Sequence, residues 1–401
     1  MLKTSFCEVC SSDGLTDVLD LGLHPLCDDL IPTGSQAICN EYPIEIAFCG
    51  TCRTAHQKYQ VEKKVLFPSN YHYRSRFTAD VLSGMSHLVE SCQKSYGDLT
   101  GKKILDVGCN DGSLLNYFRD LGAISHGIEP TDAATDASKL GHIVLNDYFT
   151  SEVAVKFKEE YGCPDLITFT NVFAHIENLD DVIHALKILM KPSTLLVIEN
   201  HYLGSVLKSN QFDTFYHEHP RTYSHESFKF IAKSLDRELL GAEFPSRYGG
   251  NIRVYIGQKS LGGFSQARCF DSSNEEDFLM NFQALAGTVE EWRRSKKLEI
   301  DQLVGRYGPL KAKAFPGRAA ILVRLLGLTD SHVEAVYEKP GSMKIGNYLP
   351  GTRIEIRSDA ELFVNIDNRV PILNFAWHIS AEIRRYLSDN GFSGPVVDIM
   401  G

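Results

Sequence analysis

Three groups of residues in this chain have side chains whose types and spacing suit chemistry. The first is two C-x-x-C pairs, Cys7/Cys10 and Cys49/Cys52. Each pair aims two thiolates at one ion, and two pairs complete a tetrahedral four-sulfur site of the kind that holds zinc. Four thiolates leave no open coordination position, so Zn2+ here is expected to be structural. The second group is Asp106-Val107-Gly108-Cys109-Asn110-Asp111-Gly112. Gly108 and Gly112 let the backbone turn tightly and approach a ligand. The loop lacks G-x-G-x-x-G, and its carboxylates at Asp106 and Asp111 favour a cationic ligand over a pyrophosphate. The third group is Tyr216-His217-Glu218-His219-Pro220. In an extended segment Tyr216 and Glu218 share one face and His217 and His219 the other, which splits a His-Glu-His metal trio. Acid–base work suits these residues better: a histidine takes a proton near neutral pH, and a neighbouring carboxylate fixes its tautomer. Pro220 restricts His219 to an extended backbone.

The elements that position these groups follow from hydrophobic patterning. Ile104, Leu105 and Val107 make a short apolar run before the glycine loop, and Leu114, Leu115 and Phe118 follow it at helical spacing. Strand, loop and helix in that order place free N–H groups at a ligand. From Lys102 to about Gly257, strands and helices alternate, which predicts a parallel sheet covered by helices on both faces. Candidate strands are 103–107, 125–129, 143–145, 165–170, 194–199, 238–244 and 251–256, and 78–96 reads as an amphipathic helix. In such a sheet ligands sit beyond the carboxyl ends of the strands. Glu129 ends the second strand about 20 residues after the glycine loop, where an acid accepts ribose hydroxyls.

The loop resembles motif I of class I S-adenosylmethionine (SAM) methyltransferases, where an acidic-then-glycine loop faces the amino acid end of SAM. That resemblance gives the later loops meaning. In Asn146-Asp147-Tyr148-Phe149 an Asp can accept from the adenine amino group and an aromatic can cover the ring. Asn171-Val172-Phe173-Ala174-His175-Ile176 follows the fourth strand, beside the expected position of the SAM methyl group, and Glu199-Asn200-His201-Tyr202 follows the fifth. The cofactor-binding set is then Asp106, Gly108, Asn110, Asp111, Gly112, Glu129, Asp147, Tyr148, Phe149, Asn171, Val172 and His175.

Composition bounds the rest. The length of 401 residues suits two or three domains, and 43% apolar content allows sizeable cores. A net charge of −10 argues against a nucleic-acid surface and an anionic membrane surface. The sequence has no apolar run long enough for a membrane span and no apolar signal region near Met1, so a cytoplasmic protein with reduced thiols is expected. Cys27 and Cys39 have no partner at ligand spacing and read as packing residues.

The whole chain resembles the bacterial nucleotide-sugar C-methyltransferases, which join an N-terminal zinc domain, a central SAM domain and a C-terminal domain of their own type. The motifs that carry the resemblance are the two C-x-x-C pairs, the loop 106–112, the segment 171–176 and Tyr216-His217-Glu218-His219. Gly346-Asn347-Tyr348-Leu349-Pro350-Gly351-Thr352 and Ala376-Trp377-His378-Ile379 add to it. It implies an α/β fold: a small zinc-binding domain and linker over 1–76, a Rossmann-like SAM methyltransferase domain over 77–264, and an α/β nucleotide-sugar domain over 265–401. It also implies His219 as the base, with Tyr216, Glu218 and one of Tyr71 or Tyr73 nearby, and His217 in the same motif. The C-terminal module has a helical connection over 265–310. Its apolar runs are Ile321-Leu322-Val323, Val333–Val336, Arg353–Ile356 and Leu362-Phe363-Val364, and a last helix spans 376–388. The family opens this module with a glycine-rich G-A-x-x-K-G stretch, whereas this chain has Ala314-Phe315-Pro316-Gly317-Arg318-Ala319-Ala320. Proline removes a backbone donor there, and Arg318 is expected to restore a phosphate contact.

The implied reaction is methylation of a sugar carbon beside a ketone, through an enolate. A small-molecule substrate, no nucleic acid or membrane partner, and a monomeric enzyme are expected. The alternatives are an O- or N-methyltransferase using the same histidine and, from a different class, a non-catalytic zinc and SAM-fold scaffold.

Overall fold

The computed structural model describes the chain except residues 69–72, 78, 262–271, 365 and 401, and the side chains of 77, 79, 248, 272 and 273. It divides into two compact units. The first comprises Met1–Asp17, Ala47–Ser209 and Glu218–Leu279; the second comprises Val18–Ile46, Asn210–His217 and Met280–Gly401. The segment between the two cysteine pairs thus clusters with the C-terminal residues. No helix among the described residues is long and apolar enough to cross a membrane.

The first unit is built on strands β1 (Lys103–Val107), β2 (Ile124–Ile128), β3 (Ile143–Leu145), β4 (Leu166–Thr170), β5 (Leu195–His201), β6 (Glu238–Glu243) and β7 (Asn251–Gly257). Their order across the sheet is β6-β7-β5-β4-β1-β2-β3. The strands β1 to β5 pair in parallel, and β7 runs antiparallel between β5 and β6. The order reverses between β1 and β4, which opens a crevice at the carboxyl ends of those two strands. Ile104, Leu105, Leu166, Ile167 and Leu195 to Ile198 are fully buried, as strands covered on both faces require. Helices α1 (Ala79–Tyr96) and α2 (Ser113–Asp120) cover one face through Val81, Met85, Leu88, Val89, Leu114 and Phe118. Each such buried side chain contributes about 1.5–3 kcal/mol. β5 reaches two residues further than its apolar run suggests: Asn200 and His201 stay in register with Ile252 and Asn251.

The second unit repeats the principle. Strands β8 (Leu310–Lys313), β9 (Val333–Glu338), β10 (Asn347–Tyr348), β11 (Glu355–Ser358), β12 (Ile372–Asn374) and β13 (Val396–Asp398) form a sheet ordered β13-β12-β8-β9-β11-β10, edged by Ile31–Pro32. β8 pairs in parallel with both β9 and β12, so the order reverses there too. Two of the apolar runs read from the sequence become the strands β9 and β11. Ile321-Leu322-Val323 instead lies in a helix, Ala319–Leu325, and Leu362 ends another, Asp359–Leu362. A three-residue apolar run does not distinguish buried helix from buried strand, and Pro316-Gly317 just before the first of these starts a helix.

Candidate active site

The four cysteine sulfurs come together, all within 4.8 Å of one another. Cys7 and Cys52 Sγ are 3.3 Å apart, and Cys10 and Cys49 Sγ 3.6 Å. Four sulfurs about 2.3 Å from one zinc sit about 3.8 Å apart, so the set fits the ion. The two knuckles match in backbone: Ser11 and Arg53, each following the second cysteine of its pair, both hold a left-handed φ, near 60° and 58°. In each, the N–H of that residue donates to the first cysteine's carbonyl, at 2.8 and 2.9 Å. His56 Nε2 lies 3.3 Å from Cys7 Sγ. Among the described residues no other group of His, Cys, Asp or Glu gathers ligand atoms in this way.

The glycine loop crosses the end of β1. Gly108 has φ +71°, and a Cβ there would lie 2.5 Å from Val172 Cγ2, so only glycine lets the loop pass the β4 turn. Gly112 has φ +78° and opens α2, with His142 and Ala137 against the place a Cβ would occupy. Asp106 is buried and accepts from Thr168 Oγ1 at 2.7 Å; burial, with the Glu129 charge adding to it, pushes its carboxyl up to about 7. Glu129 is buried at the end of β2. It accepts from Asn110 N–H at 3.0 Å through one oxygen, and from Thr131 N–H and Oγ1–H at 3.0 and 2.6 Å through the other. Asp111 Oδ1 accepts from the Ser113 N–H and the Ser113 hydroxyl, at 3.2 and 2.6 Å.

The linker lies along this loop. Ser75 N–H donates to Asn110 Oδ1 and Arg76 N–H to Asp111 Oδ2, both at 3.0 Å, while Asn110 Nδ2 donates to the Tyr73 carbonyl at 3.1 Å. Arg74 and Arg76 both reach Asp136 Oδ2, at 3.1 and 2.9 Å. The Tyr73 side chain is exposed, and Tyr71 lies outside the described residues.

At the end of β3, Asp147 is exposed and accepts from Tyr148 N–H at 2.8 Å, and the Tyr148 hydroxyl donates to the Phe67 carbonyl at 3.0 Å. Phe149 meets Phe169 edge-on at 5.7 Å. At the end of β4, Asn171 takes a left-handed φ of 54° and its N–H donates to the Glu199 carbonyl at 2.7 Å. His175 Nδ1–H donates to the Glu218 carbonyl at 2.6 Å, which fixes that tautomer, and burial pushes its pKa down.

The histidines converge here. The His219 ring is buried, 4.8 Å from the His175 ring and 5.3 Å from the His201 ring. Sequence reading marked His201 only as part of a loop; its place as the last residue of β5 is the signal that points to it. Asn200 beside it is fully buried, with no hydrogen-bond partner for either carboxamide atom among the described residues. Glu199, by contrast, is structural: Arg253 donates to it at 2.7 Å and Asn251 at 3.0 Å.

The Tyr-His-Glu-His segment divides between the two units. Glu218 and His219 belong to the first; Tyr216, half-buried, and His217 belong to the second. His217 Nε2–H donates to the Tyr42 carbonyl at 3.1 Å, and burial pushes its pKa down to about 4. Arg318 does not take the phosphate-binding place expected for it. Its buried guanidinium grips Asp213 in a bidentate pair at 2.8 and 2.7 Å, beneath the Trp377 ring at 5.1 Å, and the Trp377 indole N–H donates to the same carboxylate at 2.9 Å.

Residues 7–67 match the family described as "Putative zinc binding domain", 72–240 that described as "Methyltransferase domain", and 246–394 that described as "C-methyltransferase C-terminal domain". The C-methyltransferase NovU of Streptomyces niveus is 25% identical over 399 residues, covering 96% of this chain and 93% of its own length. The chain thus carries, in order, a zinc-binding segment, a methyltransferase domain and a C-methyltransferase C-terminal domain. It is a SAM-dependent methyltransferase with a Rossmann-like domain, and zinc is its structural metal. The ubiquinone biosynthesis O-methyltransferase of Shewanella halifaxensis is 31% identical over 99 residues, which span 24% of this chain and 42% of that protein. The crystal structure of magnesium protoporphyrin IX methyltransferase from Synechocystis PCC 6803 with bound SAH aligns at a TM-score of 0.36 and 15% identity, over 45% of this chain and 84% of that one.

Proposed function

We propose that this C-methyltransferase acts on a nucleotide-linked keto-deoxy sugar and methylates C3, beside a ketone at C4. The observation that supports this most is the buried His219 imidazole between those of His175 and His201, at the carboxyl ends of β4 and β5. Carbon becomes nucleophilic only when a base removes a proton made acidic by a neighbouring carbonyl, and an imidazole is suited to that task. SAM, when bound, supplies an electrophilic methyl group. His219 takes the C3 proton, and the Tyr216 hydroxyl donates to the oxygen on which charge develops. Glu218 orients the base segment, with His217 and Tyr71 or Tyr73 completing the acceptor side. Asp106, Asn110, Asp111 and Glu129 hold the amino acid and ribose ends of the cofactor, with Gly108, Gly112, Asn171, Val172 and His175 shaping its path. Asp147, Tyr148 and Phe149 stand at the adenine end. Holding donor and acceptor at near-attack distance is a large part of the acceleration.

Residues 1–76, 77–264 and 265–401 serve as zinc module, methyl-transfer domain and nucleotide-sugar domain in a cytoplasmic monomer. The strand reversal at β8 supports a ligand crevice in the last of these. The test is exchange of the C3 proton with deuterated solvent, without SAM, across a panel of nucleoside-diphosphate 4-keto-6-deoxy sugars. Wild type exchanges it; His219→Ala loses exchange and about 10²–10⁴ in turnover, with SAM affinity unchanged. Exchange that persists in His219→Ala but not in His217→Ala would move the base to His217.

A further inference from the structure

The metal knuckle reaches the histidine pair through one ion pair. Glu8 sits between the ligands Cys7 and Cys10, and its Oε2 accepts from Arg221 Nη1 at 2.6 Å. Arg221 is completely buried. The same guanidinium donates to the Ile176 carbonyl, reaches the Glu177 carbonyl at 3.5 Å, and donates from Nε to the Tyr223 hydroxyl at 3.0 Å. Ile176 and Glu177 directly follow His175, and Arg221 comes two residues after His219. Backbone pairing runs the same way: Arg221 is in register with His56 in an antiparallel pair, and Gln57 N–H donates to the Pro220 carbonyl at 2.8 Å. Gln60 Nε2 also donates to Glu8 Oε2 at 2.8 Å, so the carboxylate is fixed from the knuckle side as well.

A buried guanidinium stripped of its partner is strongly destabilising, and the Glu8 carboxylate together with the carbonyl and hydroxyl acceptors offsets that penalty. We infer that Glu8 and Arg221 are positioning residues, which fix the His219 ring against the His175 ring by tying both of their segments to the metal knuckle. A knuckle with no part in the chemistry thereby sets the geometry of the proposed base. The catalytic meaning rests on the reading of His219 given above; the placement does not.

Glu8→Gln in the zinc-loaded full chain tests it, with two readouts. The first needs no substrate: acylation of histidines by diethylpyrocarbonate, mapped by mass spectrometry. His219 is buried and should react slowly in wild type, and Glu8→Gln should raise its rate about 10-fold, as a loosened hydrogen-bonded network exposes the ring. His217, also buried but bonded to the Tyr42 carbonyl, should keep its rate, and exposed His87 serves as reference. Zinc content and SAM affinity should stay within about two-fold of wild type, since Glu8 is neither a thiolate ligand nor part of the glycine loop. An unchanged His219 rate, or equal acceleration at His217, overturns the inference. The second readout is methyl transfer to thymidine diphosphate 4-keto-6-deoxyglucose. Turnover should fall with the KM for SAM unchanged, and Glu8→Asp should restore part of it. Glu8→Gln combined with Arg221→Lys should be no worse than Arg221→Lys alone. If wild type leaves this sugar unmethylated, the sugar reading fails while the acylation result still decides the positioning role.

Discussion

Replacing Glu129 by Gln separates a cofactor ligand from a strand-end charge. An ionised carboxylate offers about four acceptor positions. In Glu129 three are used, by Asn110 N–H and by the N–H and hydroxyl of Thr131. Among the described residues one position therefore remains, on the oxygen facing Asn110, for a ribose hydroxyl; a second hydroxyl binds only if Thr131 turns away. Loss of one charge-assisted hydrogen bond costs about 1.5–3 kcal/mol, or about 10- to 150-fold in the Kd for SAM. The carboxamide keeps the size but points an N–H at one of the existing donors, which costs the unliganded protein about 1–3 kcal/mol. Calorimetric titration with SAM, at a temperature where melting curves show both proteins folded, measures the first term separately from the second. A lower melting temperature with unchanged SAM affinity would refute the reasoning and leave Glu129 as a purely structural acceptor for the loop.

The purified protein should carry about one zinc per chain; Cys49→Ser should lower both zinc content and melting temperature, and a metal-free protein of unchanged stability would contradict the four-thiolate site. Asp106 should make SAM binding pH-dependent. Its carboxyl is raised to about 7 by burial, so the ionised form that favours a cationic ligand grows between pH 6 and 8, and affinity should rise about 10-fold over that range and flatten in Asp106→Asn. The stability effect has the opposite sign. A raised carboxyl pKa makes the folded state bind the extra proton, so this group's contribution is present below the usual carboxylate range and is lost as pH rises towards 7; urea melts at pH 5 and pH 8 on wild type and Asp106→Asn check it. Arg318→Met should destabilise the protein by about 3–5 kcal/mol by stranding the buried Asp213 charge, with SAM affinity untouched.

What could be read from the sequence follows the range of the interactions. The parallel part of the first sheet was legible because strands such as β1 and β4 are short apolar runs followed by a turn and a helix, so position along the chain gives position in the fold. The cysteine site was legible because a C-x-x-C pair carries its own geometry. The end of β5 was not: Asn200 and His201 are polar, and only pairing with Asn251 and Ile252 keeps them in the strand. Arg318 was misjudged because its partner, Asp213, lies 105 residues away. Ile31–Pro32 was given to the zinc segment by proximity in sequence, yet it pairs with Asn347–Tyr348. The tie from Glu8 to Arg221 spans 213 residues and leaves no local pattern in the sequence.

The central claim is that the methyl group goes to carbon, with the acceptor proton removed by His219. The most direct test is carbon-13 NMR of the product formed from SAM labelled in its methyl group and a nucleotide 4-keto sugar deuterated at C3. The account predicts a methyl bonded to C3, with the C3 deuterium lost, and no such product from His219→Ala. A labelled methyl on oxygen or nitrogen, with the C3 deuterium retained, would contradict it.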